Sequence, residues 1–519
     1  MEDSTITDVR QISSIEDLGL VDQNIVQVSC QRSISGDAFS QGSHEFNFNI
    51  SGTQRWSPSR SYLRVRATVS NLANAVLTQA QRITIAENFM NNLYQNAYLY
   101  VGNQDVSSLS QFCGQVSTVR ERCSRTKGYF DSIGRLYGWE PEFEKRLAKV
   151  TSDGNSGSFL ASRVQIGFAV GDTIAYTGAT SVLTFTNANG LALNTVLYTG
   201  DVIKSADAVN AQTYTLVYPI NADSSQWFVT TTVAGADIAA VATWSRIRRT
   251  EPNLQYRVSG SKNKIEICFQ PPLGIFYSSC AMPSGSYKLS LTPRQSPNNI
   301  AALESTTDNA EGKLTIDSLF FFMSVFRSDK TMDSGTYYLP LQECNIQNRK
   351  LEVGAGQNNL NFSVPVSTTS FAIFCQSTLA GSDKRVPASV FHTLDRKASL
   401  GLKNLQLTYA NQTKPLQNYD SSFDAQNDFM VQRYIETQIN NGLIQLSAEE
   451  YESYLSRGPI FYYNFVKSSD DRSTEVQLSI NYENMQIDTN IFLVSIYNTV
   501  CKISVDSGFV TSVTKLVST

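Results

Sequence analysis

His44 and His392 are the only two imidazoles in a chain of 519 residues. Neither stands at a spacing that makes a nucleophile–base pair or a metal site, so each is expected to be structural or merely on the surface. Asp470-Asp471 and Glu449-Glu450 are adjacent carboxylates. Neighbours along a chain point apart, so a solvated turn and a helix start are the simpler reading; hydrolysis of glycosides by two carboxylates distant in sequence is the chemistry left open. Gly354-Ala355-Gly356 lacks the strand-to-helix setting that cradles a phosphate. The eight cysteines, Cys30, Cys113, Cys123, Cys268, Cys280, Cys344, Cys375 and Cys501, form no CxxC pair. Free, mostly buried thiols are expected. No catalytic, cofactor-binding or metal-ligating residue is assigned, and the chain reads as building material rather than an enzyme.

Charged residues make up 17% of the chain and the formal net charge is −4. That charged share is well below the roughly 25% of ordinary soluble domains. A surface poor in Lys and Glu suits large contacts that lose their water, as in an assembling protein, although many secreted β proteins share it. At the N-terminus Glu2, Asp3, Asp8, Glu16, Asp17 and Asp22 face a single basic residue, Arg10. Tight nucleic-acid binding is therefore not expected. Met1-Glu2-Asp3-Ser4-Thr5 has neither a basic nor an apolar leader region, so no secretory signal is expected. The longest dense apolar run, Leu319 to Phe326 broken by Ser324, is far short of the roughly 20 residues of a membrane helix. Synthesis in the cytosol is expected, which leaves the sequons at Asn49, Asn361 and Asn411 as chance matches.

The elements that would position these residues are mostly strands. Phe46, Phe48 and Ile50 alternate with polar residues, as do the residues of Tyr62 to Val69, while Gly, Ser and Pro clusters punctuate the runs. Asp105 to about Lys149 is compatible with helix and carries interleaved charges, among them Arg120, Glu121, Arg122 and Arg125. A solvated helical surface is the expected reading and a local anion or partner site the alternative. Asn155 to Ser245 holds only seven charged residues and no cysteine, and is rich in Thr, Ala, Val and Gly. It reads as an inserted small β domain. A turn-rich bridge from Thr292 to about Gly312 leads to a second unit starting at Leu314. That unit includes a helix near 425–440, with Phe429, Ile435 and Ile439 as a partial apolar face, and a short helix capped by Ser447 with Glu450.

The end of the chain is the most regular part. Ile460-Phe461-Tyr462-Tyr463-Asn464-Phe465 is followed by a charged turn, Ser468 to Thr474, and then by alternating Val476, Leu478, Ile480 and Tyr482. Ile491 to Tyr497 is nearly continuous apolar, as in a strand covered on both faces, and Lys502 to Val505 reads as a third short strand.

Two pairs of short matches predict an internal duplication. Leu99-Tyr100-Val101-Gly102-Asn103-Gln104 resembles Leu407-Thr408-Tyr409-Ala410-Asn411-Gln412, and Lys288-Leu289-Ser290-Leu291 resembles Lys502-Ile503-Ser504-Val505. The displacement of the first pair exceeds that of the second by nearly the length of the low-charge segment. Each unit then has strands, a helical interruption and more strands, which fits a β-sandwich of jelly-roll type. The expected fold is all-β, two tandem jelly-roll sandwiches with short helices in loops and an inserted β domain in the first. The expected division is an acidic arm over 1–24, a first jelly roll over 25–154 and 246–300, an inserted tower over 155–245, and a second jelly roll over 301–519.

This architecture, the aromatic run Phe461 to Phe465, Lys467, the Asp471-Arg472-Ser473-Thr474 turn and the apolar strand Phe492 to Tyr497 resemble the double jelly-roll major capsid proteins of tailless icosahedral DNA viruses. The likeness is to those of virophages and polinton-like viruses in particular. In the first unit Val258 to Lys264 stands where such a turn belongs, and it does not match. The resemblance implies a homotrimer with a pseudo-sixfold outline, located in the virion and contacting neighbouring capsomers, penton and minor capsid proteins and an internal membrane where one exists. It implies no cofactor, and makes the 155–245 insertion an outward tower that could meet a host receptor. A viral fibre or a receptor- or carbohydrate-binding β protein is the alternative, to which the duplication gives no purpose.

Overall fold

The computed structural model describes residues 10–12, 20–32, 34, 42–71, 81–85, 88–131, 133–137, 173–186, 202–205, 213–220, 225–231, 237–241, 244–247, 256–257, 263–294, 301–305, 312–328, 331–352, 354–377, 402–416, 430–443, 451, 454, 458–467, 471–485 and 489–516. Alternation of apolar and polar residues sets the strands. In His44–Ile50 the buried Phe46, Phe48 and Ile50 take turns with outward Glu45, Asn47 and Asn49, as a pleat with one wet face requires.

Eight strands build a first sandwich: β1 (Leu20–Ser29), β2 (His44–Ile50), β3 (Gln54–Asn71), β4 (Tyr94–Val101), β5 (Gln104–Leu109), β6 (Asn263–Phe269), β7 (Gly285–Pro293) and β8 (Gly312–Ser328). Its sheets run β1-β8-β3-β6 and β2-β7-β4-β5. Eight more build a second: β9 (Gly335–Leu351), β10 (Gly354–Ser363), β11 (Thr368–Ser377), β12 (Leu402–Tyr409), β13 (Gln412–Lys414), β14 (Phe461–Asn464), β15 (Glu475–Met485) and β16 (Thr489–Asp506). These run β9-β16-β11-β14 and β10-β15-β12-β13. The two orders are the same order. In both units a helix fills the same connection, α1 (Cys113–Ser124) between β5 and β6 and α2 (Met430–Asn440) between β13 and β14.

The first anchor of the duplication falls on equivalent hairpins. Val101 pairs with Gln104 across Gly102-Asn103, and Tyr409 pairs with Gln412 across Ala410-Asn411. Gly102 has a φ of 58°, and Ala410 and Asn411 have φ of 50° and 60°, the left-handed conformation that two-residue hairpins demand. The second anchor does not hold. Lys288 to Leu291 lies in β7, whose counterpart is β15, whereas Lys502 to Val505 lies in β16. Four residues of alternating pattern fit any half-buried strand, which is why the match misled.

Three further expectations change. The run Ile491 to Tyr497 and the expected short strand Lys502 to Val505 are one continuous strand, β16. A final strand, β17 (Phe509–Leu516), follows it and pairs with its Val500–Asp506 half. The division at 300 gives way because Gly312–Ser328 pairs with β1 and β3 of the first sandwich. The turn-rich bridge is therefore a connection within one sandwich, between β7 and β8, and the chain crosses to the second only between Ser328 and Gly335. The 1–24 arm also contributes structure, since β1 begins at Leu20 and Arg10–Gln11 pairs in parallel with Tyr337–Tyr338.

Strands between Thr173 and Ile247 form a seven-stranded sheet whose described strands pair with none in either sandwich. Ile174, Tyr176, Leu183, Phe185, Tyr214, Trp227 and Val229 are its buried apolar residues among those described. A small sheet of Tyr256–Arg257, Gln81–Ile85 and Ala301–Ser305 joins the β3–β4 connection, the return from the insertion and the β7–β8 connection.

The cores explain why β16 is apolar on both faces. Ile491 and Leu493 enter the second sandwich's own core with Phe371, Ile373, Leu405 and Leu478. Phe492, Val494 and Ile496 point the other way, into an apolar cluster shared with Phe46, Leu63 and Leu99 of the first sandwich. In β11, Phe371 and Ile373 likewise alternate with Ala372 and Phe374 between the two clusters.

Candidate functional site

The joint between the sandwiches is built around α1. Every residue from Cys113 to Cys123 is buried, including Gln115, Arg120, Glu121 and Arg122. On the side of its own sandwich the helix rests on a short helix, Phe89–Asn92. A Cβ on Gly114 would lie 1.9 Å from the Asn92 Oδ1 atom, so only glycine allows this approach. Asn91 Nδ2 donates to Ser117 Oγ at 2.8 Å and Asn88 Nδ2 to Thr118 Oγ1 at 3.3 Å, which supplies the buried hydroxyls with partners.

On its other side α1 crosses all four strands of the β9-β16-β11-β14 sheet or their flanks. Arg120 donates to the Gln342 carbonyl on β9 at 2.6 Å, and Gln115 Nε2 to Gln376 Oε1 on β11 at 3.2 Å. Phe112 meets the ring of Phe492 on β16 edge-on at 5.3 Å, and Arg122 donates to the Gly458 carbonyl ahead of β14 at 2.8 Å. The expected solvated surface is thus corrected: Arg120, Glu121 and Arg122 are the buried polar part of the joint. Glu121 also accepts from the Tyr277 hydroxyl at 2.8 Å and from Arg125 at 3.2 Å, and the guanidinium of Arg120 lies 4.7 Å over the Tyr277 ring. Buried charges survive only with such partners.

Glu343, on β9, completes the joint at 1% exposure. Its carboxylate accepts from Ser107 Oγ at 2.6 Å and from the Gly274 amide at 3.4 Å. Burial pushes its pKa above the ordinary 4.5, against the opposing pull of Lys515, Ser107 and Arg120. A carboxyl raised in the folded state binds its proton more tightly there than in the unfolded chain. Its contribution to stability is full below pH 4.5 and is lost as pH rises through the raised value. Glu343→Gln is expected to flatten that fall, which urea unfolding repeated from below pH 4.5 to neutrality measures; a slope equal to that of the wild type would contradict it.

The C-terminal motif forms a clasp on the second sandwich. Phe465 N donates to Thr369 O at 2.8 Å. The Lys467 ammonium donates to Val366 O at 2.8 Å, to the Tyr409 hydroxyl at 3.0 Å and to Ser473 O at 3.0 Å, using all three of its protons. Burial lowers the Lys467 pKa and neighbouring Asp471 partly restores it. Asp471 accepts from both the amide and the hydroxyl of Ser473, which hold its carboxyl below the usual range. The spacing Lys467, Asp471, Ser473 is a device for closing a turn.

The other singled-out residues are structural where described. His44 is fully buried, with Nδ1 3.2 Å from the Tyr94 hydroxyl. Gly354 opens β10 at a φ of 106°, and a Cβ on Gly356 would lie 2.6 Å from the Tyr482 hydroxyl. His392, Glu449, Glu450, Asp470, Phe429 and Ser447 lie outside the described residues. All eight cysteines are free thiols, and burial pushes those of Cys113 and Cys375 up to about 12, which leaves them unreactive. Among the described residues no group of three or more His, Cys, Asp or Glu is placed to hold a metal ion, and no helix is long and apolar enough to cross a membrane.

The expected apolar face of α2 is reversed. Arg433, Thr437 and Gln438 are buried, while Val431, Ile435 and Ile439 are 43%, 43% and 57% exposed. Arg433 donates to the Tyr463 hydroxyl at 2.6 Å and to Leu405 O at 2.9 Å, anchoring the helix by its polar side.

The role of α1 as a joint carries no signal in the sequence: the small residues Gly114, Ser117 and Thr118 mark only its close approach to the 88–92 segment of its own sandwich.

No family model matches the chain, and no curated protein matches it. Among solved structures it is similar to a chain of the Sputnik virophage, with 12% identity and a TM-score of 0.50 over 100% of this chain and 92% of that one. The fold is therefore shared along the whole length. The Faustovirus major capsid protein aligns over 96% of this chain and 92% of its own at 8% identity and a TM-score of 0.46. The mavirus major capsid protein aligns over 100% and 93% at 9% identity and 0.41.

Proposed function

We propose that this chain is the major capsid protein of a tailless icosahedral DNA virus and assembles as a homotrimer of pseudo-sixfold outline that tiles the shell. The observation that carries the reading is the repeat itself: two sandwiches of identical strand order in one chain, joined by a buried, desolvated contact. Three such chains present six like units, and six like units fill a hexagonal lattice. The chain serves as shell material and not as an enzyme, located in the virion among neighbouring capsomers, with penton and minor capsid proteins as further partners. Residues 155–245 form a tower on the first jelly roll, available to a host receptor. A fibre or carbohydrate-binding protein has no use for two large like sandwiches.

Sedimentation velocity of the purified chain tests this. The expected species has the mass of three chains, and removal of residues 155–245 with a short linker in their place leaves it trimeric. A persistent monomer at high concentration would reject the reading, and loss of trimer on deletion alone would place the insertion in the shell-forming core.

A further inference from the structure

The reversed helix α2 has an internal precedent. It occupies in the second sandwich the connection that α1 occupies in the first, and α1 lies across the outer face of the β9-β16-β11-β14 sheet. The equivalent outer face of the first sandwich, on β1-β8-β3-β6, carries no helix of comparable length among the described residues; a short turn at 133–137 adjoins its β6 edge, where Cys268 N donates to Leu136 O at 2.8 Å. Its residues alternate with those of the core: Phe320 and Phe322 are only half-buried, between the fully packed Leu319, Phe321 and Met323. Tyr62 stacks on Phe322 at 5.4 Å, and Ile25, opposite Ser324, is 60% exposed. One end of the repeat therefore offers a helix with an exposed apolar stripe, and the other a sheet face on which Ile25, Phe320, Phe322 and Tyr62 sit beside the exposed Arg64–Glu266–Arg66 ion pairs of β3 and β6.

We propose that α2 of one copy of this chain lies across the outer face of the β1-β8-β3-β6 sheet of a second copy, repeating between chains the contact that α1 makes within the chain. The proposal deepens the trimer reading and rests on it, by naming the surfaces that meet. Val431, Ile435 and Ile439 recur every four residues and so share one helix face. Within the chain, Gln115 and Arg122 of α1 are seven residues apart and both meet the second sandwich, so a single helix face makes that contact as well. The contact is heterologous, a helix of one unit on the sheet of the next. Because the same kind of contact holds both within and between chains, the direction of rotation is preserved at each step. Closure after three chains uses each such helix and each such sheet face once.

Two arms test the proposal on the full chain. The Val431→Asp, Ile435→Asp double variant replaces exposed residues, so the far-ultraviolet circular dichroism of each chain is expected to stay as in the wild type while sedimentation shifts from trimer to monomer. Separately, Ile25→Cys with Ile435→Cys is expected to give disulfide-linked dimers and trimers on mild oxidation, which neither single variant gives. A wild-type trimer that survives the aspartates and fails to cross-link overturns this proposal and leaves the trimer reading standing. A monomeric wild type overturns both. Should the aspartate variant lose its circular dichroism signal, the cross-link alone decides, its absence in a trimeric protein counting against the contact.

Discussion

Val494→Asp is expected to split the unfolding of this chain into two separate transitions. Val494 is fully buried on β16, and its neighbours across the sheet are Ile346 and Ala372. All three belong to the apolar cluster that runs into the first sandwich. A carboxylate at this point loses its water and finds no partner, and an uncompensated buried charge costs about 3–5 kcal/mol. The cost falls on the joint, because the adjacent Ile491 and Leu493 point into the second sandwich's own core and keep their contacts. The wild type shares one cluster between its halves and is expected to melt as one cooperative unit. Scanning calorimetry checks this: one transition for the wild type and two for the variant are predicted, and a single, little-shifted transition for Val494→Asp would show that the joint contributes little.

Trp56→Ala is expected to destabilise the first sandwich by about 3–5 kcal/mol, the range for removing a buried aromatic side chain. The Trp56 ring is fully buried and meets Phe48 at 5.0 Å, Tyr287 at 5.2 Å, Phe321 at 6.2 Å and Phe276 at 6.3 Å. Its indole N–H donates to Ser61 Oγ at 2.9 Å, and that oxygen also accepts from the Ser324 amide at 3.0 Å and donates to Ser57 O at 2.6 Å. Truncation opens a cavity among four rings and takes the indole donor away from Ser61 Oγ, the atom that ties β3 to β8 through the Ser324 amide. Urea unfolding is the measurement, with a lower midpoint at unchanged slope expected. Trp56→Phe keeps most of the ring contacts and is expected to recover most of the loss. Equal stability of Trp56→Ala and the wild type would mean that the site collapses without cost.

Much of this fold is legible in the sequence because strands report their surroundings through side-chain period. Alternating Phe46, Phe48 and Ile50 announces one wet face, and the unbroken run at Ile491 announces two covered ones. The Gly102-Asn103 and Ala410-Asn411 turns mark the repeat because a two-residue hairpin restricts residue choice. The joint is not legible in the same way. The partners of Arg120 and Arg122 are the carbonyls of Gln342 and Gly458, and a backbone acceptor more than two hundred residues away leaves no trace in side-chain pattern. A helix bearing Arg-Glu-Arg therefore reads as solvated. α2 misleads in the opposite sense: its apolar stripe at Val431, Ile435 and Ile439 reads as a core face, while the buried side is held by Arg433 and Thr437 through hydrogen bonds to Tyr463, Leu405 and Ile460. The Thr292 to Gly312 stretch read as a linker because a long loop inside a sandwich and a bridge between sandwiches have the same turn-rich composition.

Glu343 is equally hidden from a reading of side-chain pattern. Nothing in Gln342-Glu343-Cys344 signals burial, since the strand's outward side faces the first sandwich instead of water. Its partners, Ser107 and the Gly274 amide, both belong to the first sandwich. A carboxyl held across the joint ties the pairing of the sandwiches to pH, in the direction already given.

Negative-stain electron microscopy of the purified full-length chain tests the central claim most directly. Particles of hexagonal outline with threefold averages, each side holding one sandwich, and ordered hexagonal arrays as concentration rises are expected. Single two-lobed particles without threefold symmetry at every concentration would contradict it.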